Sequence, residues 1–503
     1  MEFFSNLALG FATAVSLQNL TYCFVGVLLG TLIGVLPGIG PVATISMLLP
    51  VTYGIEPTGA LIMLAGIYYG AQYGGSTTSI LINLPGEISS VVTCIDGHQM
   101  ARQGRAGPAL AIAAIASFIA GTVATLLCAL MAAPLARVAS QFGPAEYFSL
   151  MVLGLIGAVV LANQSVIRAI GMVIVGLILG LVGTDVNTGA LRFAFGIHDL
   201  YDGIGIVAVA IGVFAISEIV SNLEHEGKRE VLTDKVQGLV PTRADLRASA
   251  MPIARGTLIG SGLGILPAGG AVIASFASYA VEKRIARDPS RFGKGAIEGV
   301  AGPEAANNAG AQTSFIPMLT LGIPPNVVMA LMIGAMMLHN IQPGPQVMDK
   351  QPALFWGLIV SMWIGNLMLV VLNLPMVGLW VKLLSIPYRL LYPAIILFCC
   401  IGVYTVSNNT FDVFVAVLFG IVGYVFAKIG CEPAPMLLGF VLGPMMEEYF
   451  RRALLISRGD FFVFLERPIS AGLLAVAVML LASLAVPTLS QLRQRAVKEQ
   501  EPA

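Results

Sequence analysis

Charge is scarce in this sequence. Only 11% of its 503 residues are Asp, Glu, Lys or Arg, and the formal net charge is zero. Ordinary soluble proteins carry about 25% charged residues. Residues 1 to 100 contain neither Lys nor Arg. So few charges argue against a soluble protein, and the balanced net charge gives no reason to expect a nucleic-acid partner.

Catalytic and metal-binding patterns are also missing. The four histidines show no zinc-ligand spacing, and the six cysteines show no metal or redox spacing. We therefore interpret the cysteines as small apolar core residues. Neither a Gly-x-Ser-x-Gly motif around Ser76 nor a His-Glu-x-x-His motif is present. We expect no enzymatic activity and no resident cofactor.

Apolar sequence, in contrast, is abundant. Hydrophobic residues make up 57% of the chain, and the mean hydropathy is +0.87. Several runs approach or exceed the ~20 apolar residues that cross a bilayer. The sequence therefore predicts an all-α polytopic membrane protein. The clearest runs are Ala109–Ala133, Tyr147–Ala162, Gly203–Val220, Ala394–Val406 and Ser470–Ala485.

The chain contains the same pattern twice, which indicates a duplicated unit. The motif "LPGE" at 84–87 aligns with "IPPN" at 323–326 at an offset of 239 residues, and "SFIAG" at 117–121 aligns with "SMWIG" at 361–365 at an offset of 244. An earlier set of matches has a constant offset of 230: Gly26, Gly30, Gly34, Leu36, Pro37 and Gly40 match Gly256, Gly260, Gly264, Leu266, Pro267 and Gly270. The predicted domains are an N-terminal interfacial segment (1–25), a first repeat (26–221), a cytoplasmic linker loop (222–255), a second repeat (256–486) and a C-terminal tail (487–503).

Basic residues suggest that the two repeats are inverted. Six Lys or Arg lie within 228–255 and five within 283–294, and the positive-inside rule places both segments in the cytoplasm. Only one apolar run, 256–281, separates them, so we expect it to turn back as a re-entrant hairpin. The matching hairpin, 26–53, has no basic flank and fits the outer face. About 10 crossings plus two hairpins result.

Proline and glycine interrupt both hairpins. Broken helices are tolerated at membrane depth where protein or a watery cavity satisfies the freed backbone groups. Matched interruptions in inverted repeats indicate a transporter site near the bilayer midplane. Close helix packing through Gly-x-x-x-Gly is the alternative interpretation of the flanking glycines. The predicted hairpin tips are Pro37, Gly38, Gly40, Pro267, Gly269 and Gly270.

A second polar interruption follows each hairpin. The stretches 73–87 ("YGGSTTSILINLPGE") and 302–326 each predict a crossing helix that unwinds in its Gly-, Ser-, Thr- and Asn-rich part. Neutral hydroxyl, amide and backbone N–H groups can hold a carboxylate without a buried charge. Hydrogen bonds to the helix's own carbonyls are the alternative. The candidate substrate ligands are Ser76, Thr77, Thr78, Asn307, Asn308, Thr313 and Ser314.

Two carboxylates lie near these interruptions, Glu304 and Glu87. An intramembrane carboxylate is by default a candidate proton carrier or cation ligand, with helix capping as the alternative. We interpret Glu304 and Gln312 as cation-coupling residues. A sodium site is predicted near Gly74, Gly75, Asn307 and Asn308.

Charged residues in two further segments are expected to form local ion pairs. One set lies in 183–203 around Asp185 and Arg192. The other lies in 443–454 around Glu447 and Arg451, which we expect at the opposite face.

Five long motifs resemble the large membrane subunit of the tripartite tricarboxylate transporters, the TctA-type family. The resemblance runs from about residue 20 to 486. The motifs are "GTLIGVLPGIGP", "YGGSTTSILINLPGE", "GLVGTDVNTGALRFAFGIHDLYDG", "GPEAANNAGAQTSFIPMLTLGIP" and "GFVLGPMMEEYFRRAL".

This resemblance implies import of citrate-like di- or tricarboxylates across the bacterial inner membrane, driven by a sodium or proton gradient. It also implies a small membrane subunit and a periplasmic solute-binding protein as partners, and an elevator-type architecture in which the hairpins and broken helices move against a scaffold. Without the resemblance, a cation- or anion-selective channel is the alternative function. Carried over by motif, the site would consist of Pro37–Pro41, Gly74–Ser79, Pro267–Gly270 and Asn307–Ser314.

Overall fold

The computed structural model describes residues 2–36, 40–139, 141–161, 165–185, 188–224, 238–266, 270–384 and 388–483. Most of these residues are helical, which confirms the all-α prediction. Two strands of two residues each, β1 (Gly183–Thr184) and β2 (Leu191–Arg192), pair antiparallel.

In the first half of the chain, the π-helical segments Cys94–His98 and Ile211–Ile216 join α5 to α6 and α10 to α11. The α-helices of this half are α1 (Glu2–Ala14), α2 (Leu17–Val35), α3 (Pro41–Thr52), α4 (Pro57–Ile82), α5 (Val91–Thr93), α6 (Gln99–Arg102), α7 (Ala106–Ala139), α8 (Pro144–Leu161), α9 (Val166–Gly180), α10 (Ile206–Ala210) and α11 (Ser217–Glu224).

The second half continues the helical architecture. Its α-helices are α12 (Arg243–Leu263), α13 (Gly270–Ile285), α14 (Glu298–Thr313), α15 (Phe315–Leu321), α16 (Val327–Leu338), α17 (Gln346–Lys350), α18 (Pro352–Asn373), α19 (Val377–Leu384), α20 (Tyr388–Ser407), α21 (Thr410–Lys428), α22 (Pro433–Ile456), α23 (Val463–Glu466) and α24 (Pro468–Ser483).

Several helices have the length and composition of membrane spans. Helix α21 also leaves large apolar side chains exposed, with Phe414 73% and Ile421 60% accessible. Such exposure is expected where a helix faces lipid. The chain is therefore a multi-pass membrane protein. Within the described residues, the segments long and apolar enough to span are Leu17–Val35, Ala106–Val138, Pro352–Asn373 and Thr410–Lys428.

Glycines bring α2 into contact with the backbone of α4. Any side chain at these positions would collide with a carbonyl oxygen, so only glycine permits the approach. Methyl groups added to Gly26, Gly30 and Gly34 would lie 2.3, 2.3 and 2.5 Å from the carbonyl oxygens of Met63, Ile67 and Ala71.

Helices α12 and α14 pack in the same way. The packing interpretation of the Gly-x-x-x-Gly pattern is therefore correct in both halves of the chain. Methyl groups added to Gly256, Gly260 and Gly264 would lie 2.2, 2.3 and 2.5 Å from the carbonyl oxygens of Gly302, Ala306 and Gly310. The glycines repeat at an offset of 230 residues and their partners at 239, which is the offset of the "LPGE" and "IPPN" motifs.

The predicted unwinding at Gly74–Ser79 is wrong, because α4 runs through these residues without a break. The hydroxyl groups of Ser76, Thr77 and Thr78 each donate to the carbonyl oxygen four residues earlier, at 3.0, 3.3 and 3.2 Å. These polar groups are satisfied within the helix and do not require it to open. Helix α14 likewise runs through Asn307–Thr313.

The interruptions lie further along, at the two proline motifs. Asn83 ends α4 and Gly322 ends α15, both in the left-handed conformation with φ of 59° and 72°. Glu87 and Asn326 then begin the next helical turns with extended φ values of −152° and −151°. Each half of the chain thus contains a discontinuous helix, with the same backbone conformation at positions 239 residues apart.

The arms of the second hairpin meet at their base. Arg255 on α12 donates to both carboxylate oxygens of Glu282 on α13, at 2.8 and 2.6 Å. Helix α12 begins at Arg243, earlier than the predicted linker loop would allow. The reason is a capping box, in which Thr242 and Asp245 each accept a 3.1 Å hydrogen bond from the other's backbone N–H. Residues 225–237 of the predicted linker lie outside the described residues.

The outer helices pair across the two halves of the chain. A methyl group on Gly176 of α9 would lie 2.0 Å from the carbonyl oxygen of Met436 on α22. In the other pairing, a methyl group on Gly212 would lie 2.4 Å from the carbonyl oxygen of Ala416 on α21. Helices from the first half therefore pack directly on helices from the second half.

Helix α1 packs along α18. A methyl group on Gly10 would lie 2.6 Å from the carbonyl oxygen of Trp356, and the rings of Phe3 and Trp356 meet edge to face. Phe4 on the outer side is 75% exposed. The interfacial position of this segment stays a prediction.

Candidate functional site

Glu304, on α14, lies at the centre of a buried polar cluster. Its side chain is completely buried. The carboxylate accepts hydrogen bonds from Ser76 on α4 at 2.7 Å and from Ser117 on α7 at 3.4 Å. Thr93 on α5 also donates to it. Three hydroxyl groups from the first half of the chain thus converge on one carboxylate from the second half.

Asn308 supports this cluster from the next turn of α14. Its amide nitrogen donates to the Ser117 hydroxyl oxygen at 2.7 Å and to the backbone carbonyl of Glu304 at 3.1 Å. A hydroxyl group that accepts from an amide is free to donate in turn, so Asn308 orients Ser117 toward the carboxylate.

Glu87 and Asn307 form a second polar pair near the interruption after α4. The Asn307 amide nitrogen donates to Glu87 Oε1 at 3.0 Å. The Gln72 side chain lies against the same pair and against Ser89. With its amide nitrogen assigned toward the pair, Gln72 donates to Asn307 Oδ1 at 2.9 Å. The pair is partly buried, because Glu87 retains some exposure.

Within the described residues, neither Glu87 nor Glu304 forms an ion pair. The Lys and Arg residues that form ion pairs contact other carboxylates. A buried carboxylate without a positive partner costs several kcal/mol to ionise. Glu304 is therefore chemically suited to hold a proton or a metal cation.

The other predicted hydroxyl ligands donate to backbone carbonyls in this structure. Thr78 donates to Val35 at the end of α2, at 2.8 Å, and Thr77 to Tyr73 at 3.3 Å. Thr313 donates to Ala309 at 3.0 Å and Ser314 to Ala311 at 2.7 Å. The oxygens of these hydroxyls can still accept a hydrogen bond or bind a cation. Their role as substrate ligands stays a prediction.

Gly74 and Gly75 are positions of close packing. A methyl group on Gly74 would lie 2.5 Å from the Thr31 carbonyl oxygen, and one on Gly75 would lie 2.9 Å from Glu87 Cγ. Gly75 therefore allows Glu87 to lie against α4. No group of three or more His, Cys, Asp or Glu that could hold a metal occurs in the described part of the chain. The sodium site near these glycines stays a prediction.

Gln312 lies two turns beyond Glu304 on α14. Its backbone carbonyl accepts from Cys128 Sγ at 3.3 Å. The side-chain oxygen is buried and has no hydrogen-bond partner among the described residues. Its contribution to cation coupling stays a prediction.

The hairpin tips are described in part. Gly40 is the N-cap of α3, and Gly270 begins α13. A methyl group on Gly270 would lie 2.6 Å from the carbonyl oxygen of Leu263, so the second hairpin turns back tightly on its first arm. The remaining predicted tip residues, Pro37, Gly38, Pro267 and Gly269, lie outside the described residues.

A cavity lies beside the Glu304 cluster. Two of the hydroxyl groups that donate to Glu304, those of Ser76 and Ser117, belong to residues that line it, so a bound ligand would lie next to the carboxylate. The full lining consists of Tyr73, Ser76, Thr77, Leu110, Ala113, Ala114, Ser117, Asn373 and Leu374.

Sequence reasoning missed Asp96, which joins the two halves of the chain. This fully buried carboxylate accepts from the Tyr279 hydroxyl at 2.9 Å. It also accepts from the backbone N–H groups of Gly293, Gly295 and Ala296, at 2.9, 2.8 and 2.8 Å. Asp96 thereby fixes the loop that leads into α14 and Glu304. All its partners lie more than 180 residues away, so no local spacing indicated them.

Thr93 and Ser117 were also missed as partners of Glu304. A signal for Ser117 was available, because it is a polar residue within the apolar run 109–133 and belongs to the repeated "SFIAG" motif. Thr93 follows the "LPGE" motif in an otherwise ordinary mixed segment.

The expected ion pairs form, but not at opposite faces. Arg192 donates to Glu447 at 2.9 and 3.0 Å and also pairs with Asp185. Arg451 pairs with Glu447 at 2.6 Å and with Asp185 at 3.3 Å. The two sets form one network, because α9 and α22 lie side by side and bring their ends together.

Comparisons with known proteins give a consistent result. The model of the tripartite tricarboxylate transporter TctA family matches residues 20–438. An "Uncharacterized 52.8 kDa protein in TAR-I ttuC' 3'region" of Agrobacterium vitis is 59% identical over 501 residues, which cover 100% of both chains. An "Uncharacterized protein in TAR-II ttuC' 3'region" of the same organism is 59% identical over 242 residues, which cover 48% of this chain and 100% of that protein. No solved structure matches the chain.

Proposed function

The chain belongs to the tripartite tricarboxylate transporter TctA family, and we propose that it carries a citrate-like di- or tricarboxylate into the cell together with a coupling cation. In this proposal it is the large membrane subunit in a bacterial inner membrane. A periplasmic solute-binding protein delivers the substrate, and a small membrane subunit completes the complex.

The observation that carries the proposal is the environment of Glu304. The carboxylate is completely buried and its side-chain partners are hydroxyl groups, with no ion pair among the described residues. An anionic substrate in the neighbouring cavity would be repelled by an ionised Glu304. Two like charges 4 Å apart interact with about 4 kcal/mol at an effective dielectric constant of 20. Neutralising Glu304 removes this repulsion, so substrate and cation would bind together.

Both candidate cations fit the chemistry of the cluster. The oxygens of Ser76, Thr93, Ser117 and Glu304 are hard ligands of the kind that alkali and alkaline-earth cations bind. A proton on Glu304 would neutralise the same charge, and the hydroxyl groups can accept from a protonated carboxyl as readily as they donate to an ionised one.

The repeated helix contacts support transport by alternating access. The α2–α4 and α12–α14 pairs use the same glycine spacing, and the helix breaks at Asn83–Glu87 and Gly322–Asn326 have the same backbone conformation. Two equivalent units of opposite orientation, 26–221 and 256–486, would allow the site to face each side in turn. The hairpins and broken helices would form the moving part.

Gradient-driven uptake into proteoliposomes tests this function. The chain would be reconstituted with its small subunit and binding protein, and radiolabelled citrate uptake would be measured under an imposed sodium gradient or an imposed proton gradient. We expect uptake that depends on the binding protein and follows one of the gradients. A single-channel current carried without gradient-driven accumulation would instead support the channel alternative.

A further inference from the structure

Asn373 places an unpaired acceptor at the wall of the cavity beside Glu304. It is the last residue of α18, its side chain is 6% exposed, and it lines the cavity together with Tyr73, Ser76 and Ser117. The side-chain oxygen has no hydrogen-bond partner among the described residues. Buried polar groups nearly always have a partner, and leaving one unpaired is costly. An unpaired oxygen beside a cavity therefore indicates a partner that arrives with a ligand.

The orientation of this amide is fixed. The Asn373 nitrogen donates to the backbone carbonyl of Leu369 at 2.9 Å. Turning the amide over would place oxygen against oxygen, since a carbonyl group can only accept. The side-chain oxygen is thus the group directed away from the α18 backbone, and an incoming ligand must offer it a donor.

An ionised carboxylate cannot supply that donor, because both of its oxygens only accept. The nearby hydroxyl groups are already committed as donors: Ser76 to Glu304 at 2.7 Å, Thr77 to the Tyr73 carbonyl at 3.3 Å and Tyr73 to Asn366 at 2.7 Å. A hydroxyl group on the carbon skeleton of the substrate can donate.

We propose that Asn373 accepts a hydrogen bond from a substrate hydroxyl group, so that the transported acid is a hydroxycarboxylate. This inference rests on the proposed function and deepens it by naming the substrate class. Asn373 then becomes a specificity-determining residue, because an acid of the same charge without the hydroxyl group leaves its oxygen unpaired. Sites built to bind a substrate hydroxyl reject analogues that lack it more strongly than apolar pockets reject a missing methylene group.

Direct binding to the full-length chain tests this assignment. The purified protein in lipid nanodiscs would be titrated by calorimetry with two pairs of acids, malate against succinate and citrate against tricarballylate. Each pair differs by one hydroxyl group. The buffer would contain sodium at mildly acidic pH, so that either coupling cation is present. We expect at least one hydroxy acid to bind the wild type about tenfold more tightly than its partner acid.

Two variants identify the residue responsible. Asn373→Leu removes the acceptor at similar volume, and the affinity ratio within the pair should fall to about one. Asn19→Leu is the matched control. Asn19 is 7% exposed, its nitrogen donates to the Thr13 carbonyl at 2.9 Å and its oxygen is unpaired, yet it does not line the cavity. This control should retain the wild-type ratio.

The possible failures can be told apart. Equal affinities within both pairs for the wild type would overturn the hydroxycarboxylate assignment while leaving the transport function in place. A preference that survives Asn373→Leu would overturn the role of Asn373. Absence of binding by all four acids, together with absence of gradient-driven uptake, would overturn both the inference and the proposed function.

Discussion

The Ser76 hydroxyl group donates a 2.7 Å hydrogen bond to Glu304 across 228 residues of sequence. Ser76 lies on α4 and Glu304 on α14, the two helices that pack against α2 and α12 through the same glycine spacing. This one contact joins the two halves of the chain at a buried carboxylate. The account of function depends on it.

Replacing Ser76 with alanine should impair transport. The change removes one of three hydroxyl groups that bind Glu304, and a hydrogen bond to a charged group contributes about 1.5–3 kcal/mol. We expect a fall of about 10- to 100-fold in initial citrate uptake at unchanged membrane abundance. Thr313→Ala serves as the control, because the Thr313 hydroxyl donates only within its own helix. Equal losses in both variants would contradict the special role of Ser76.

The glycine contacts predict a difference between two neighbouring positions on α12. A methyl group at Gly260 would lie 2.3 Å from the Ala306 carbonyl oxygen, whereas at Gly262 it meets nothing within 4 Å. Gly260→Ala should therefore destabilise the protein by about 1–3 kcal/mol or more through overpacking. Gly262→Ala should be neutral or stabilising by up to about 1 kcal/mol, because alanine favours the helix. Thermal unfolding of both variants in detergent measures this, and identical melting temperatures would contradict the packing.

Asp96 should be essential for stability rather than for specificity. In Asp96→Ala, three backbone N–H groups and the Tyr279 hydroxyl lose their acceptor inside the protein. The expected cost is about 3–5 kcal/mol. Size-exclusion chromatography after heating would show the loss. Asp288→Ala in the exposed loop after α13 should leave the profile close to that of the wild type.

The parts of the fold that follow from local residue chemistry were predictable. Gly30 and Gly260 were recognisable as a repeated pair because only glycine permits the contact, and "LPGE" and "IPPN" were recognisable as breaks because proline cannot continue a helix. Glu304 was recognisable because a carboxylate in an apolar chain is costly and therefore has a function.

What could not be predicted depends on partners that are distant in sequence. The segment Gly74–Ser79 has the composition of a helix breaker, yet its hydroxyl groups bond to their own helix and α4 stays intact. Thr93 contacts Glu304 only because the chain folds back after the first break. Arg192 and Glu447 were assigned to opposite faces because the sequence does not reveal that α9 and α22 are neighbours.

The most direct test of the account is Glu304→Gln. Glutamine keeps the size of the side chain but cannot bind or release a proton at physiological pH and carries no charge to attract sodium. Two rates would be measured in the same reconstituted proteoliposomes, gradient-driven accumulation of radiolabelled citrate and exchange of citrate across the membrane without a gradient. The matched control is Glu448→Gln, which alters a surface ion pair with Arg452 and should not change either rate. We predict that Glu304→Gln loses accumulation and keeps exchange. Accumulation at the wild-type rate in Glu304→Gln would contradict the assignment of Glu304 as the coupling residue.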